Sequence, residues 1–408
     1  MLDATFKTFV RPLWWNTTMT TNRAQTCSEV RLALGRPADF GVLDQANEEV
    51  VHQVVSHDGP AVIRGCPGSG RTSVALEVAH QLRKKLGGDV FILAPDRLRV
   101  DLLQSAGEHA LPGIVRPVRT PVALAYSFVS KWYVERKDPQ PAPQLLTGAQ
   151  EDLALAEAIE AQLVEWPESL NDALGMPELR MQIRNLMARA REAGWDGHKL
   201  ESVGRDLERG IWVATGRLMQ IWQEQSLRES GDTVSHFESA ELQERAAQII
   251  TRWHEDAGSE GVVANLDVPA AVVVDDLQDC TRATLSLLEA LHAVGTRIVV
   301  TADSDVAVSV YRGGEPHLDV RFADRLGAKS FYLGPTHRGN QTLRAVVQRV
   351  SEQTTVRHDA RHRLMGAVDS REDSSGLSVN TYGSAAQEAN AIARMITRYQ
   401  LGRGPGIS

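Results

Sequence analysis

The chain has 408 residues, which exceeds the usual size of one compact core and is enough for two or three domains. Hydrophobic residues make up 42% of the sequence and charged residues 24%, as in ordinary soluble proteins, and no run of about 20 apolar residues predicts a membrane span. The formal net charge of −8 does not exclude a nucleic-acid binder, because a basic channel can lie on an acidic protein.

Residues 1–40 predict a loosely ordered N-terminal arm, since they show no clear periodicity and carry the polar run NTTMTTNRAQT. The first residues lack the apolar core and the small-residue cleavage site of a secretory signal. The cysteines Cys27, Cys66 and Cys280 lie far apart and form no C-x-x-C pair, which argues against a zinc site or a disulfide framework. We therefore expect a cytoplasmic protein.

The segment GCPGSGRT has the spacing of a phosphate-binding loop, G-x-x-x-x-G-K-[ST], with an arginine at the lysine position. The apolar run Ala61–Arg64 precedes it, and helical spacing begins at Ser73. In this context backbone amides and a helix N-terminus cradle a phosphate; the alternative is a tight structural turn. The residues predicted to bind the nucleotide are Gly65, Cys66, Pro67, Gly68, Ser69, Gly70, Arg71 and Thr72, of which Thr72 is also predicted to bind Mg²⁺.

Further apolar runs predict strands at 90–93, 270–276 and 296–301. Helical patterns follow the first two of these runs, over 99–106 and 282–292. Such alternation favours a parallel sheet with flanking helices.

Strand signals vanish between about 140 and 235. There a helix predicted to begin near Pro177 has one apolar side, formed by Leu179, Ile183, Leu186 and Ala190. This stretch predicts an all-helical insertion. Towards the end of the chain, helices are predicted over 341–351 and 385–399, with a strand at 377–382 between them.

The acidic segment VVVDDLQD, residues 272–279, is a buried-type apolar strand that ends in carboxylates. Beside a phosphate loop, Asp275 would lie near the Mg²⁺ shell and Asp276 near the attacking water. The alternative is a strand that ends in solvated acids.

Four motifs in this order resemble those of the superfamily 1 helicases of the UvrD/Rep/PcrA type. They are GCPGSGRT, DDLQD, ADSDVAVSVYRGG and GPTHRGNQTL, and the usual forms in the family are GxGSGKT, DExQD, GDxxQxIYxFRGA and NYRS. The resemblance runs from about Gly41 to Gln400 and implies an α/β fold of the P-loop NTPase (RecA-like) class.

The resemblance also implies how the chain is divided. Residues 1–40 would form the arm, 41–135 together with 236–334 the RecA-like lobe 1A, 136–235 the helical 1B insertion, and 335–408 part of a second RecA-like lobe, 2A. Motifs V and VI of the family are not found in the sequence, so we expect the chain to be part of a longer protein.

Roles in the nucleotide site follow from the same resemblance. The residues at catalytic positions of the family are Arg71, Asp276, Gln278 and Arg338. Gln278 would sense the nucleotide state, and Arg338 would approach the γ-phosphate from the second lobe; the alternative for Arg338 is a solvated arginine at a helix start. Either Gln45 or Asn47 would read the adenine, because both amides carry a donor and an acceptor.

Four residues match positions at which the family contacts DNA: Arg97, Thr120, Tyr311 and Arg312. Tyr311 would stack on a base, which is typically worth about 1–3 kcal/mol; the alternative is a half-buried core tyrosine. Arg312 would be a polar link between its strand and the nucleotide. Arg97 would hold a DNA phosphate and Thr120 belongs to another DNA-contacting motif, with ordinary surface positions as the alternative for both.

Three positions of the hydrolytic site depart from the family pattern: Arg71 replaces a lysine, Asp276 a glutamate and Val306 a glutamine. Arginine keeps the charge, but its planar fork is larger than an ammonium group. Aspartate withdraws the carboxylate by one methylene, and a misplacement of about 1 Å can cost on the order of 10²-fold in rate. Valine cannot hydrogen-bond. We expect a motor fold with weak or absent ATP hydrolysis.

ATP and Mg²⁺ are the cofactors implied by the resemblance, and DNA is the implied partner. Two functions stay open: an ATP-dependent 3′-to-5′ DNA helicase motor in repair or recombination, and a non-hydrolysing ATP- and DNA-binding scaffold subunit. The arginine-rich composition and VVVDDLQDC resemble the AdnA-type subunits of actinobacterial AdnAB helicase–nucleases, which implies a second motor or nuclease subunit as partner. A small-molecule P-loop kinase would give no reason for DDLQD followed by YRGG.

Overall fold

The computed structural model describes residues 43–135, 141–145, 148–228, 236–255, 267–310, 313–339, 341–353, 363 and 380–400. These residues form an α/β structure with a six-stranded parallel sheet and many helices. The strands are β1 Ala61–Arg64, β2 Val90–Leu93, β3 Val118–Arg119, β4 Gln144–Leu145, β5 His236–Phe237, β6 Ala271–Val274, β7 Arg297–Ala302 and β8 Lys329–Tyr332. The helices are α1 Gln45–Ser56, α2 Arg71–Leu86, α3 Arg97–Ala110, α4 Pro121–Glu135, α5 Gly148–Glu160, α6 Pro177–Glu192, α7 Gly197–Asp206, α8 Gly210–Arg228, α9 Ser239–Glu255, α10 Arg282–Ala293, α11 Leu318–Leu326, α12 Gln341–Glu352 and α13 Ala385–Gln400.

The main sheet has the strand order β3-β2-β6-β7-β1-β8, and all its pairings are parallel. The strands β1, β2, β6 and β7 are buried along their whole length. Their nearly continuous valine and isoleucine content follows, since a parallel sheet is covered on both faces. Because all strands run the same way, the loops that follow the neighbours β6, β7 and β1 open at one edge of the sheet.

The strands predicted at 61–64, 90–93, 270–276 and 296–301 are confirmed, and four strands are additional. Two are the edge strands β3 and β8 of the main sheet; the others are β4 and β5, and β4 lies within the stretch 136–235 that was predicted to be all-helical. The strand β3 has only two residues, and β8 has the sequence KSFY with mostly half-exposed side chains. Short or half-polar segments carry little strand signal of their own. Their conformation depends on pairing with one inner neighbour, β2 for β3 and β1 for β8.

Two hydrophobic clusters fill the interior of the described residues. The sheet cluster packs the strands against helices and includes Ile63, Val74, Ile250, Val273 and Leu288. The helical cluster lies within α5–α8 and includes Leu155, Ile183, Met187, Leu200 and Leu218. The apolar side predicted for the helix that begins at Pro177 is confirmed, because Leu179, Ile183 and Ala190 are buried in the helical cluster and Leu186 packs against it.

The chain enters and leaves the helical part beside a short parallel pair, since β4 precedes it, β5 follows it, and the two strands pair with each other. Beyond β8, the helices predicted over 341–351 and 385–399 are confirmed as α12 and α13. The strand predicted at 377–382 lies mostly outside the described residues, and residues 380–382 are not in a strand. Among the described residues, no helix has both the length and the apolarity needed to cross a membrane.

Candidate functional site

A glycine-rich loop, Gly65–Gly70, joins β1 to α2. Gly68 and Gly70 have φ of 81° and 93°, a left-handed region that residues with a side chain rarely adopt. A Cβ on Gly65 would collide with the hydroxyl of Ser69, and one on Gly68 would lie 2.6 Å from the Thr336 hydroxyl. No side chain caps the N-terminus of α2, so the first-turn amides of this helix are offered to another acceptor.

Asn47 supports this loop from α1. Its amide Nδ2 donates to the carbonyl of Ser69 at 2.9 Å, and its Oδ1 accepts the backbone N–H of Gly334 at 3.4 Å. The side chain is buried, so its donor and its acceptor both serve the protein backbone. Of the two amides that the sequence offers for reading adenine, Gln45 is the one exposed to solvent.

The segment Thr336–Arg338 packs against the loop at Pro67 and Gly68. Thr336 donates its hydroxyl to the carbonyl of Pro67 at 2.8 Å, and the backbone N–H of His337 donates to the carbonyl of Gly68 at 2.9 Å. Arg338 is exposed, and its Cβ would lie 2.8 Å from a Cβ placed on Gly68. The arginine predicted to reach the γ-phosphate therefore starts beside the glycine loop.

Arg71, the first residue of α2, contacts both the glycine loop and the acidic residues that follow β6 and β7. Its Nη1 donates to the carbonyl of Gly65 at 2.5 Å and to Asp303 at 2.9 Å, while Nη2 donates to Asp276 at 3.0 Å. Burial by itself lowers the pKa of Arg71, but the charges of Asp276, Asp303 and Asp275 outweigh it and hold the pKa above its ordinary value. The guanidinium therefore stays charged while it is nearly buried.

Asp276 lies between two arginines. Arg71 contacts its Oδ1, and the Nη1 of Arg99 contacts its Oδ2. Burial alone would raise the pKa of Asp276, but Arg71 and then Arg99 lower it below the ordinary value. Its backbone has φ of 57°, which is uncommon for a residue other than glycine and is often associated with functional sites. Thr301 holds this conformation by accepting the Asp276 N–H at 3.0 Å.

Asp275, the other carboxylate of the pair, faces Thr72. Its Oδ2 accepts the Thr72 hydroxyl at 2.9 Å and its Oδ1 accepts the Thr301 hydroxyl at 2.8 Å. Burial, followed by the charge of Asp276, raises the pKa of Asp275 to about 6. The two residues predicted to bind Mg²⁺, Thr72 and Asp275, are thus hydrogen-bonded to each other.

Gln278 connects the ends of β6 and β7. Its Nε2 donates to Asp276 at 3.0 Å, and its Oε1 accepts the backbone N–H of Asp303 at 3.0 Å. The side chain is buried. Gln278 therefore links Asp276 to the loop that begins at Asp303 through its two hydrogen bonds.

The residues predicted to contact DNA are only partly described. Arg97 is exposed at the first position of α3, and Thr120 accepts the N–H of Ala123 at the start of α4. Both follow strands of the main sheet and lie at the same edge as the glycine loop. Tyr311 and Arg312 lie outside the described residues.

Three residues of the site were missed by sequence reasoning: Arg99, Asp303 and Thr336. Asp303 directly follows β7, and a polar residue in that place is a usable signal because parallel strands end at one edge. Arg99 and Thr336 carry no such signal, since a helical arginine and a loop threonine are most often surface residues.

The polar groups left without a partner at the glycine loop are hydrogen-bond donors, as a triphosphate would require. The hydroxyl of Ser69 and the Nε of Arg71 are buried without a hydrogen-bond partner among the described residues, and such groups ordinarily find one. The uncapped N-terminus of α2 lies beside them. The described residues contain no cluster of three or more His, Cys, Asp or Glu side chains suited to a metal, so Mg²⁺ would need phosphate oxygens in addition to Thr72 and Asp275.

No protein-family model matches this chain, and no curated protein is significantly similar to it. The resemblance carried by the four motifs therefore stays a prediction. The structure adds the hydrogen-bond partners and the burial of those motif residues that it describes.

Proposed function

We propose that the chain binds ATP with Mg²⁺ at Gly65–Thr72 and serves a UvrD-like DNA motor as a nucleotide- and DNA-binding module with little hydrolysis of its own. The observation that carries this proposal is the double arginine contact on Asp276. A general base must be free to take a proton, and its pKa works best near the operating pH. Two guanidinium groups and a lowered pKa make Asp276 a weak base, and Arg99 would remain on Asp276 when Arg71 turns to a bound phosphate.

Nucleotide binding is supported by groups that do not depend on Asp276. The loop amides and the N-terminus of α2 would hold the β-phosphate, and Arg71 would exchange its carboxylate partners for phosphate oxygens while keeping its charge. Thr72 and Asp275 would hold Mg²⁺, which when bound neutralises charge on the phosphates. Binding is thus expected to survive where alignment for hydrolysis does not.

DNA binding is supported by two of the predicted contact residues. Arg97 and Thr120 lie at the same edge of the sheet as the glycine loop, and Arg97 is exposed. Exposed arginines at such an edge suit phosphate contacts, which position a nucleic acid without reading its sequence. The remaining support is the motif resemblance.

The second candidate is an ATP-hydrolysing 3′-to-5′ helicase motor. The Thr72–Asp275 hydrogen bond at 2.9 Å and the position of Arg338 beside Gly68 favour it, because a hydrolysing site needs both a metal site and a cation near the γ-phosphate. The two candidates differ in whether Asp276 leaves its arginines when the nucleotide arrives.

Two measurements on the purified chain separate the candidates: binding of a fluorescent ATP analogue, and ATP turnover with and without single-stranded DNA. We expect binding that requires Mg²⁺, with turnover well below the roughly 1 per second at the low end of ordinary enzymes. The Asp276→Asn variant should leave that residual rate unchanged. DNA-stimulated turnover of several per second that Asp276→Asn abolishes would establish the helicase motor instead.

A variant designed to gain activity tests whether Arg71 and Asp276 limit ATP turnover. Arg71→Lys combined with Asp276→Glu returns both positions to the pattern of the resembling family. If the misplaced base limits the rate, the pair should raise turnover by roughly 10-fold or more, since small displacements cost on the order of 10²-fold. Unchanged turnover with intact nucleotide binding would mean that residues other than Arg71 and Asp276 limit hydrolysis.

A further inference from the structure

An ion pair joins the helical region, α5–α8, to the sheet region, which is the main sheet with the helices packed on it. Arg191, in the last turn of α6, contacts the carboxylate of Glu238, which lies between β5 and α9. The helix α6 belongs to the helical cluster through Ile183 and Met187, and α9 belongs to the sheet cluster through Ile250. The Arg191–Glu238 pair therefore spans the boundary between the two clusters.

Both chain connections between the two regions pass close to this pair. The strands β4 and β5 pair with each other, and Glu238 directly follows β5. On the other connection, α5 begins at Gly148, soon after β4 ends at Leu145, and Glu151 lies in its first turn. The charges around Arg191 therefore lie where the helical region would turn relative to the sheet region.

Acids outnumber bases at this boundary. Among the described residues, the charges that act on one another there are Arg184 and Arg191 on α6, Glu151 on α5, Glu238 before α9, and Glu241 and Glu244 on α9. The helix dipoles favour part of this arrangement, because a cation lies at the C-terminus of α6 and acids lie at the N-terminus of α9. Two positive charges nevertheless face four negative ones, so repulsion among the glutamates is not fully neutralised.

Proton uptake removes that repulsion. Partial burial is the largest cause that raises the pKa of Glu151, Glu241 and Glu244 above the ordinary value, and the charge of Arg191 opposes the rise at all three. Repulsion by Glu238 raises the pKa further at Glu151 and Glu241. These three carboxyl groups therefore take up protons at a higher pH than an ordinary glutamate does.

We propose that the charged groups around Arg191 form a pH-sensitive joint, which loosens the helical region from the sheet region when its glutamates are ionised and tightens when they take up protons. Protonation of Glu151, Glu241 and Glu244 leaves the Arg191–Glu238 pair in place and removes the repulsion around it. Because the folded state binds these protons more tightly than the unfolded state, the tight joint is favoured at lower pH and opposed as the pH rises. The joint shares no residue with the proposed nucleotide site.

Distances between the two regions, measured in the full chain by double electron–electron resonance, test this inference. Spin labels on Met181→Cys in α6 and Leu86→Cys in α2 report the helical region and the sheet region, since both side chains are exposed. The labelled chain carries Cys27→Ser, and its other native cysteines, Cys66 and Cys280, are buried. We expect a broad distribution of distances at pH 7.5 and a shift to one narrow distribution at pH 5.

Two variants fix the charge of the joint in opposite directions. Glu151→Gln, Glu241→Gln and Glu244→Gln together remove three negative charges with little change of shape, and this triple variant should give the narrow distribution at both pH values. Arg191→Met removes the cation that holds Glu238, so the distribution at pH 7.5 should be at least as broad as in the native chain. Thermal unfolding confirms that each variant is folded.

The matched control is Glu157→Gln with Glu160→Gln. Both residues are exposed on α5, and neither belongs to the charged groups around Arg191. The control removes negative charge from the same helix without changing the joint, so the response to pH should persist in it.

A distribution that is the same at pH 7.5 and pH 5 in the native chain would overturn the inference. A response to pH that survives in the triple variant would also overturn it, because the three glutamates would not be the groups that titrate. Loss of the response in the control would show that overall charge, rather than this joint, is responsible. Since none of these readouts involves ATP, the result does not depend on the proposed nucleotide site.

Discussion

The sheet region and the helical region differ in how deeply they bury both members of an ion pair. The helical cluster is lined by apolar side chains, and nearby ion pairs such as Arg180–Asp152 are partly exposed. Around the sheet, by contrast, Arg64 and Asp319 form an ion pair with side chains only 4% and 3% exposed, and Arg71 lies among three aspartates. Burial of charge has a cost that apolar packing avoids. The region that bears this cost is the one where we place the function.

The largest expected effect comes from breaking the buried pair. Asp319→Ala leaves the guanidinium of Arg64 without its carboxylate and should lower the free energy of unfolding by about 3–5 kcal/mol. Arg180→Ala in the helical part, whose partner Asp152 is 30% exposed, should change the unfolding midpoint less. Urea denaturation of both variants measures the difference, and equal effects would contradict the contrast between the two regions.

A double replacement sharpens that result. Arg64→Met with Asp319→Leu removes both charges from an apolar setting and should recover most of the stability lost in Asp319→Ala. If the double variant is as unstable as the single one, the ion pair stabilises the folded state by more than the neutralisation of its two charges.

Truncation of one buried side chain in the helical cluster should have the next largest effect on stability. Leu218 is fully buried in α8, and Leu218→Ala should cost about 2–5 kcal/mol because it leaves a cavity. Leu207, which is 56% exposed, provides the control, with an expected change within about 0.5 kcal/mol. Binding of the ATP analogue should be unaffected in both variants, and loss of binding in Leu218→Ala would show that the two regions are not independent.

The smallest effect concerns a half-buried acid of the helical part. Burial, and then the charge of Glu238, raises the pKa of Glu151 above its ordinary value. The folded state therefore takes up a proton at higher pH than the unfolded state, so the ionised carboxylate opposes folding at neutral pH and ceases to do so as the pH falls below the folded pKa. Glu151→Gln should raise the melting temperature at pH 7, and its advantage should shrink towards pH 4.5.

The control for this prediction is Glu157→Gln, on the exposed side of the same helix. It should show no such dependence on pH. An advantage of Glu151→Gln that is constant from pH 7 to pH 4.5 would mean that packing rather than charge is responsible.

The inner strands and most helices could be predicted because their signals are local. In β1, β6 and β7 the apolar runs are continuous, and turn residues follow at once. The strand β8 could not be predicted, since KSFY is half polar and becomes a strand only by pairing with β1. The short strand β3 likewise depends on β2.

The sequence by itself determined the glycine loop and the acidic pair, because each is one short continuous segment, and the order of the motifs, which is read directly along the chain. Only the tertiary structure decided what these groups contact. Arg99 meets Asp276 across 177 positions, Arg71 meets Asp303 across 232, and Thr336 meets Pro67 across 269. The physical reason is the parallel sheet, which gathers at one edge the ends of strands that are far apart along the chain. The two arginine contacts of Asp276, on which the proposed function depends, form only at this edge of the folded sheet.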